Sequence, residues 1–464
     1  MTNKSLLLLL CLSASTFLGA QSELGTHLMR GLWQSNRSNP ALLPGHVVTI
    51  GAGGAYSNLL ISNITFDDII VEKADGSNVI NVDNAIGLME EVNFIRESVD
   101  IETISLGLAF GRLNFFASHA LRVNAYFKYP KTLPELVWNG NAQFIGQTVN
   151  FAPDVQLFAY NEFAFGAAYE INSTVTVGGK VKYLAGVADV SSTGTQLNLL
   201  TDETSYQLSL DADYRINSSS SLTYDGFDDL DFNFAGGSFD ASQLFTQNTG
   251  FAFDLGAHFV FDRLDIAVSV LDIGQINWEE DVNNYSLSGV YEYQGLDVVQ
   301  DILEDTTSVS SVVDSLRNSY EVSETNEAYS TTLPTRFYLS STYLLNDRLS
   351  LGGVLYGERY REEFFWSLGL GADYFITDWL RVGGLYAIRE ETYDNIGINA
   401  AVRLGPIQLM AATDNILAAV QPKNSNSLNF RVGLNLVFRP KSAEIREIDD
   451  ISDQERFFNN KPKF

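Results

Sequence analysis

The feature that most constrains the fold is a two-residue alternation of apolar side chains with small or polar ones, repeated along the chain. Successive side chains of a β-strand point to opposite faces, so this period predicts strands and not helices. Beyond the N-terminus the chain has no run of about 18 apolar residues, which argues against transmembrane helices. The alternation covers residues 104–110, 113–118, 162–169, 206–214, 251–259, 366–374, 396–404 and 430–438.

The second face of these strands indicates where they lie. It is rich in Gly, Ser, Asn and Asp and poor in Lys, whereas the solvent face of a soluble sheet usually carries Lys and Glu. Small polar residues suit the crowded lumen of a closed barrel whose apolar face contacts lipid. The pattern therefore predicts an all-β, integral outer-membrane antiparallel β-barrel. A soluble β-sandwich is the alternative, because alternation alone does not separate the two.

The connections between strands fall into a short and a long class, as they do in outer-membrane barrels. Long connections are expected at about 58–103, 130–153, 217–249 and 279–331. If the two classes alternate, the strand count is even, about 14 within a range of 12–16. It is 14 if the 195–216 region is an extended hairpin and 16 if both of its strands reach the barrel. Short turns are expected at Gly111-Arg112, Glu170–Ser173, Asp262-Arg263, Asn346-Asp347, Thr377-Asp378 and Gly405-Pro406.

Aromatic residues cluster near predicted strand ends, as in the interfacial girdles of membrane barrels. These are Phe110, Tyr169, Phe261, Trp278, Tyr343, Tyr374 and Trp379. The last predicted strand alternates strictly and ends on an aromatic residue. It resembles the element that the barrel-assembly machinery reads, although here residues 439–464 follow it. Its apolar residues are Phe430, Val432, Leu434, Leu436 and Phe438.

The N-terminus predicts export. Residues 1–20 carry Lys4, the apolar run Leu6–Leu10 and a small-residue site at Gly19-Ala20, which is the pattern of a cleaved signal peptide. Cleavage would remove Cys11, the single cysteine, so neither a disulfide nor a thiol-ligated metal is expected. The predicted organisation is a plug-like segment over 21–46, a barrel over 47–438 and a periplasmic tail over 439–464.

The formal net charge of −28 argues against nucleic-acid binding, which needs a basic face. Segments 58–103, 217–249 and 279–331 carry net charges of −8, −5 and −11, so we expect acidic outer loops and nearly neutral strands. Such loops resist aggregation, and they could also bridge to lipopolysaccharide phosphates through divalent cations. The densest acidic cluster is a candidate cation site, although it lacks the Gly and distal Glu of an EF-hand loop. It consists of Asp225, Asp228, Asp229 and Asp231.

Two long connections also show helical spacing of apolar residues, over 82–92 and over 299–316. Each is expected to form a short amphipathic helix at the barrel mouth. In a purely structural role the helix would close the barrel mouth. In a transporter it would line a low-affinity apolar site.

Enzymatic activity is not expected. His258 and Asp254 share the lumen face, but residues four apart on a strand are separated by about 13 Å. His119 alternates in step with the lipid-facing residues of its strand, so it would face lipid unless the strand has ended or bulges there. The chain has no hydrolase G-x-S-x-G motif beside these residues and no H-E-x-x-H zinc motif. No cofactor and no metal centre are predicted.

Two stretches carry a family resemblance. The early Asn39-Pro40-Ala41 resembles the N-terminal hatch of the FadL-type fatty-acid transporters and is equally similar to PorV- and PorQ-like barrels of Bacteroidota. Residues 177–188 together with 269–278 resemble a large Bacteroidota family of uncharacterised outer-membrane proteins. The resemblance implies an outer-membrane barrel. Asn39-Pro40-Ala41 is then either a plug lodged in the lumen or a rigid turn on the inner rim.

The leading functional expectation is passive transport of a small, hydrophobic molecule, as the FadL-type resemblance implies. The contrasting expectation is a non-transporting surface scaffold or shuttle associated with type IX secretion, whose acidic loops and C-terminal tail would contact protein partners. The other expected partners are outer-membrane lipids, lipopolysaccharide and the barrel-assembly machinery.

Overall fold

A computed structural model describes residues 24–72, 78–220, 222–224, 230–232, 246–293, 322–389, 395–421, 423 and 425–440. Within these ranges, fourteen antiparallel strands close into a barrel. The barrel strands are β1 His46–Ile61, β2 Val92–Phe110, β3 Leu113–Pro130, β4 Asp154–Glu170, β5 Val175–Thr201, β6 Thr249–Phe261, β7 Leu264–Trp278, β8 Thr335–Leu344, β9 Leu349–Tyr360, β10 Glu363–Thr377, β11 Leu380–Arg389, β12 Asn395–Leu404, β13 Ile407–Thr413 and β14 Ser427–Pro440.

Helices and additional strands lie inside the barrel or in its connections. The helices are α1 Leu24–Leu28, α2 Trp33–Ser38, α3 Phe66–Ile69, α4 Val82–Leu88, α5 Thr132–Asn139 and α6 Ile416–Val420, with a 3₁₀ turn at Ala142–Phe144. The strands outside the barrel wall are Ile70–Glu72, Asn78–Ile80, Thr148–Asn150, Leu208–Ser219, Leu222–Tyr224, Leu230–Phe232, Val282–Tyr293, Ser323–Thr325 and Tyr329–Thr332. In the part of the chain that the structure describes, no helix is long and apolar enough to span a membrane.

The barrel closes by pairing its first strand with its last. β1 pairs with β14 from His46↔Pro440 to Leu60↔Ser427, and its other edge pairs with β2. The strand β5 extends well beyond its partner β6, and its outer half pairs with Leu208–Ser219. The 195–216 region is therefore an extended hairpin, and the strand count of 14 is confirmed.

The outer surface of the barrel is an apolar face of the kind that contacts lipid. Alternate residues along the strands are large, apolar and exposed, as the sequence predicted. Exposing so large an apolar surface to water would be unfavourable. Examples are Ile104 at 59%, Phe165 at 61%, Leu255 at 60%, Leu370 at 60% and Leu404 at 60% exposure. The protein is thus a membrane barrel and not a soluble sandwich.

The six predicted short turns all lie at one end, which also holds His46 and Pro440. This is the inner end in the orientation typical of outer-membrane barrels. At the outer end the loop expected over 58–103 spans only 62–91, because β1 continues to Ile61 and β2 begins at Val92. The outer end also has an unexpected two-residue turn, Arg361-Glu362, between β9 and β10.

Strand lengths make the wall uneven around the barrel. β5 has 27 residues and β2 has 19, whereas β13 has only seven. At about 3.3 Å per residue, the long strands rise far above a hydrocarbon layer that a strand of about ten residues can cross.

The prediction that Trp278 belongs to an interfacial girdle is wrong. Asp272 adopts φ 60° at an irregular step of the β6–β7 ladder, so the alternation of β7 inverts there. Trp278 consequently points into the lumen and has no exposed surface. The other six predicted girdle residues lie near the inner end and are 44–63% exposed.

The predicted helix over 82–92 is found as α4, whose Asn81 side chain caps the amide of Asn84. The second predicted helix, over 299–316, lies outside the described residues, as do residues 1–20 and most of the predicted tail.

Candidate functional site

The inner half of the lumen holds residues 24–45, which fold back from β1 as the helices α1 and α2. We call this segment the plug. Leu24, Trp33 and Ala41 are at most 1% exposed, so the segment is enclosed by the wall.

The predicted element Asn39-Pro40-Ala41 lies inside the lumen against β5, β6 and β7. The Asn39 amide nitrogen donates to the carbonyl oxygens of Ala257 at 3.3 Å and Val268 at 3.0 Å. The side-chain oxygen Oδ1 of Asn39 accepts from the backbone N–H of Ala41 at 2.8 Å, which fixes the turn.

Two wall glycines make room for this turn. A Cβ atom on Gly178 would lie 2.7 Å from the Pro40 carbonyl, closer than such atoms normally approach. A Cβ on Gly256 would overlap the Asn39 side-chain oxygen and lie 2.9 Å from Pro40 Cδ. The small residues on the inward face thus form a seat shaped for the plug.

Polar tethers hold the rest of the plug to the wall. The two ring nitrogens of His27 lie 2.9 Å from the hydroxyls of Ser38 and Ser340. Asp414, just beyond β13, accepts the amides of Leu24 and Gly25 at 3.0 and 2.9 Å.

A layer of buried ion pairs lies outward of the plug, and its hub is Asp272. This carboxylate binds the side chains of Lys182, Arg336 at 2.9 Å and Arg122 at 3.4 Å. Arg122 reaches from β3 to β7 and also pairs with Glu162 at 2.9 Å. We call this set the charge layer.

The plug joins the charge layer through Arg37, whose guanidinium donates to Glu102 at 3.2 Å and Asp100 at 3.3 Å. Asp100 in turn lies 3.6 Å from the Arg122 guanidinium of the charge layer. Trp33 Nε1 also donates to Glu102 at 2.6 Å. Both acids are buried on β2, in a region that we expected to be an outer loop. The assignment of these two acids to a loop is therefore wrong, while the strands remain nearly neutral because acids and bases meet inside the lumen and their charges compensate.

An aromatic layer lies in the lumen outward of the charge layer. Its buried members are Tyr126, Phe158, Tyr160, Leu184, Ala252, Ile276, Trp278, Val282, Leu333 and Tyr360, with Phe94, Tyr329 and Phe365 partly buried against them. Phe158 and Tyr160 stack with ring centroids 5.8 Å apart, and Trp278 donates to the Thr331 hydroxyl at 3.0 Å.

The outer tip of the β9–β10 hairpin leans across the lumen over this layer. Arg361 in the hairpin turn pairs with Asp154 of β4 at 3.0 Å and donates to the Ser192 carbonyl of β5 at 2.9 Å. Two further ion pairs join the hairpin to the opposite wall, Glu358 with Arg96 and Glu363 with Lys128. We call residues 358–365 the clasp.

The other candidate residues do not assemble into a site. His258 Nε2 lies 2.8 Å from Asp265, and Asp254 pairs instead with Lys182 at 2.8 Å. His119 lies beside the irregular step of the β2–β3 ladder, 2.8 Å from the Thr103 hydroxyl.

The candidate cation cluster cannot be placed, because Asp225, Asp228 and Asp229 lie outside the described residues. Asp231 is in the short strand Leu230–Phe232. On β14, Val432 and Phe438 are 42% and 43% exposed on the outer face, while the strand closes the barrel against β1.

Sequence reasoning missed the charge layer, although a signal was present. Arg122, Lys182 and Arg336 each stand on a predominantly apolar strand at a position whose parity faces inward. A charge at such a position is costly unless a partner faces it across the lumen.

Together, the closed wall, the apolar exterior and the filled lumen define a plugged membrane-spanning β-barrel of the outer-membrane type. Residues 40–414 match the family of unknown function DUF5723, and the chain belongs to that family.

Solved structures to which this chain is similar include the Ralstonia pickettii toluene transporter TbuX, with 11% identity, a TM-score of 0.42 and coverage of 88% of this chain and 94% of that one. A Pseudomonas aeruginosa FadL homologue has 11% identity and a TM-score of 0.41 over 91% and 100% of the two chains. The Pseudomonas putida toluene transporter TodX has 11% identity and a TM-score of 0.41 over 91% and 95%. No curated protein matches the chain.

Proposed function

We propose that this protein is an outer-membrane channel for the passive passage of a small, predominantly apolar molecule. The observation that carries the proposal is the aromatic layer on the lumen side of a membrane barrel. Aromatic side chains provide a large apolar contact area, and a ligand pocket is typically lined by them with few polar groups. This layer lies at the outer end, where a molecule from outside would arrive first.

The clasp is the element that would move first. Lys128 and Glu363 are 31% and 43% exposed, and Arg361 and Asp154 are 23% and 22% exposed. Ion pairs that water can reach contribute about 0–1 kcal/mol each, so these two can open at modest cost. Asp272 and Lys182 are at most 3% exposed, and breaking a buried pair of this kind costs about 3–5 kcal/mol. The third pair of the clasp, Glu358 with Arg96, is also buried, so only the tip of the clasp at residues 361–363 would open before the charge layer.

The decisive experiment measures uptake of toluene into proteoliposomes that contain the purified chain. We expect uptake above that of protein-free liposomes, and faster uptake for Arg361→Ala, which loses the contacts to Asp154 and Ser192. The matched control is Arg348→Ala, because Arg348 lies in an exposed inner turn. Uptake equal to that of protein-free liposomes for all three proteins would refute the channel.

The second candidate is the non-transporting surface scaffold or shuttle associated with type IX secretion. The charge layer favours it, because buried ion pairs join β3, β4, β5, β7 and β8 across the lumen. The scaffold predicts no flux from any variant, together with co-purification of a secretion component from cells. Loss of that component on deleting residues 441–464 would assign the contact to the tail.

Cell fractionation tests the location. We propose insertion into the outer membrane after removal of residues 1–20, with residues 439–464 in the periplasm. The mature protein should fractionate with the outer membrane, begin at Gln21 and shift on gels when heated. Recovery in the soluble fraction would refute this.

A further inference from the structure

Among the residues that the structure describes, three buried polar atoms in or beside the aromatic layer have no hydrogen-bond partner. They are the hydroxyl oxygens of Tyr126 and Tyr360 and the side-chain oxygen of Gln156. The three residues are only 2%, 2% and 6% exposed, so bulk water does not solvate them. Buried polar groups in native proteins are nearly always hydrogen-bonded, so such a group calls for a partner.

These residues lie close together, although they belong to different strands. Tyr126 of β3 and Gln156 of β4 are directly opposite each other in the ladder, so their side chains leave the same face as neighbours. The Tyr126 ring meets the Tyr360 ring edge-on, with centroids 5.4 Å apart. Tyr360 itself ends β9 at the two-residue turn of the clasp, which holds it over the lumen.

The surroundings of the three atoms are aromatic. Phe94 packs edge-on against Phe365 with centroids 5.5 Å apart, and the Phe94 ring lies 6.3 Å from that of Tyr126. The Arg96 guanidinium covers the Tyr360 and Phe365 rings at 5.2 and 5.0 Å. A ligand here would contact ring faces and edges, which favours a planar apolar body.

The charged groups around the two hydroxyls already have partners. Those near Tyr126 or Tyr360 are Arg96, Asp154, Asp189, Glu358, Arg361 and Glu363. Arg96 pairs with Glu358, Arg361 with Asp154 and Glu363 with Lys128, while Asp189 accepts from the hydroxyls of Tyr329 and Thr331. A charged ligand would therefore lose its hydration without gaining a counter-ion, so the site suits an uncharged one.

We propose that the aromatic layer is a binding site for an uncharged aromatic alcohol or phenol, with Tyr126, Tyr360 and Gln156 as its polar contacts. A hydroxyl group can both donate and accept. It would donate to the Gln156 oxygen and accept from a tyrosine hydroxyl, while the ring of the ligand packs among Phe94, Phe365 and the tyrosine rings. The inference deepens the proposed channel function by naming a substrate class.

The test compares three probes of similar size that bind to the full-length protein in one detergent: 4-methylphenol, toluene and 4-methylbenzoate. We expect 4-methylphenol to bind about thirtyfold more tightly than either other probe, since two neutral hydrogen bonds are gained. In the double variant Tyr126→Phe/Tyr360→Phe, the preference over toluene should fall to about fivefold, because only the hydrogen bond to Gln156 remains. Tyr343→Phe, at an exposed inner position, should keep it.

Thermal unfolding provides an independent readout. 4-methylphenol should raise the unfolding midpoint of the wild-type protein by more than that of the double variant at the same concentration. Without ligand, the double variant should unfold no earlier than the wild type, because it removes hydroxyls that lack partners. Earlier unfolding would mean that a fixed buried water already satisfies them, and it would overturn the proposal.

Failure of this inference and failure of the channel are distinguishable. Equal binding of 4-methylphenol and toluene, or an unchanged preference in the double variant, refutes the binding site, even if proteoliposomes take up toluene. Selective binding that depends on both tyrosines supports the site, even if no probe crosses the membrane.

Discussion

Adding one methyl group at Gly256 should unseat the plug. The Gly256→Ala side chain would occupy the place of the Asn39 amide, so the amide must withdraw from the carbonyls of Ala257 and Val268. Each of these hydrogen bonds contributes about 1 kcal/mol net, so the loss is at least about 2 kcal/mol before any overpacking cost. That loss corresponds to about a thirtyfold increase in the population of the displaced plug.

Hydrogen–deuterium exchange of peptides covering residues 24–45 measures this population, because amides protected only by the seated plug exchange when it is displaced. We expect about thirtyfold faster exchange in Gly256→Ala than in the wild type. The control is Gly384→Ala, an identical change at an exposed strand position where the nearest atom is 4.0 Å from the added carbon. Both variants should show the same heat-dependent gel shift as the wild type. Identical exchange in the two variants would show that the seat does not hold the plug.

Three further predictions concern the charge layer, the lipid face and assembly. Asp272→Asn leaves three buried cations short of a counter-charge and should lower the free energy of unfolding by about 3–5 kcal/mol in urea titrations, whereas Asp347→Asn in an exposed turn should change it by less than about 0.5 kcal/mol. Brominated lipids should quench Trp379, which is 47% exposed, and leave Trp278 unquenched; single-tryptophan variants report each, and equal quenching would contradict the assigned faces. Phe438→Ala should slow insertion by the barrel-assembly machinery without changing the final heat-dependent gel shift. Pulse–chase labelling of cells measures the insertion rate, and an unchanged rate would show that the machinery does not recognise this residue.

The strands and short turns followed from local pattern because each face of a barrel strand meets a different solvent. Alternation over 104–110 or 366–374 is visible without knowing any partner, since lipid lies on one side along the whole strand. The same reasoning predicted 14 strands once 195–216 was treated as a hairpin, and the pairing of β5 with Leu208–Ser219 bears this out.

The errors arose where a residue's surroundings depend on strands distant in sequence. Glu102 was assigned to a loop because its partners Trp33 and Arg37 lie more than 60 positions earlier and local sequence does not reveal them. Trp278 was misplaced because one residue with positive φ, Asp272, inverts the alternation, and no local pattern marks it. The clasp was missed for a similar reason, since a two-residue turn at Arg361 resembles any inner turn until its contacts with β4 are known.

The position of the plug in the chain restricts the order in which the barrel can form. Residues 24–45 precede β1, so they are exported first, yet Gln34 contacts Asn435 on β14, the strand that is made last. Closure of β1 against β14 seals a space that already contains this contact. The plug must therefore be enclosed while β1 and β14 pair, or it must enter the closed barrel from the inner end, where Gly45 connects it to β1. In the first case the plug acts as a template that sets the register of the last strand. The Gln34–Asn435 contact would then help to fix that register during assembly.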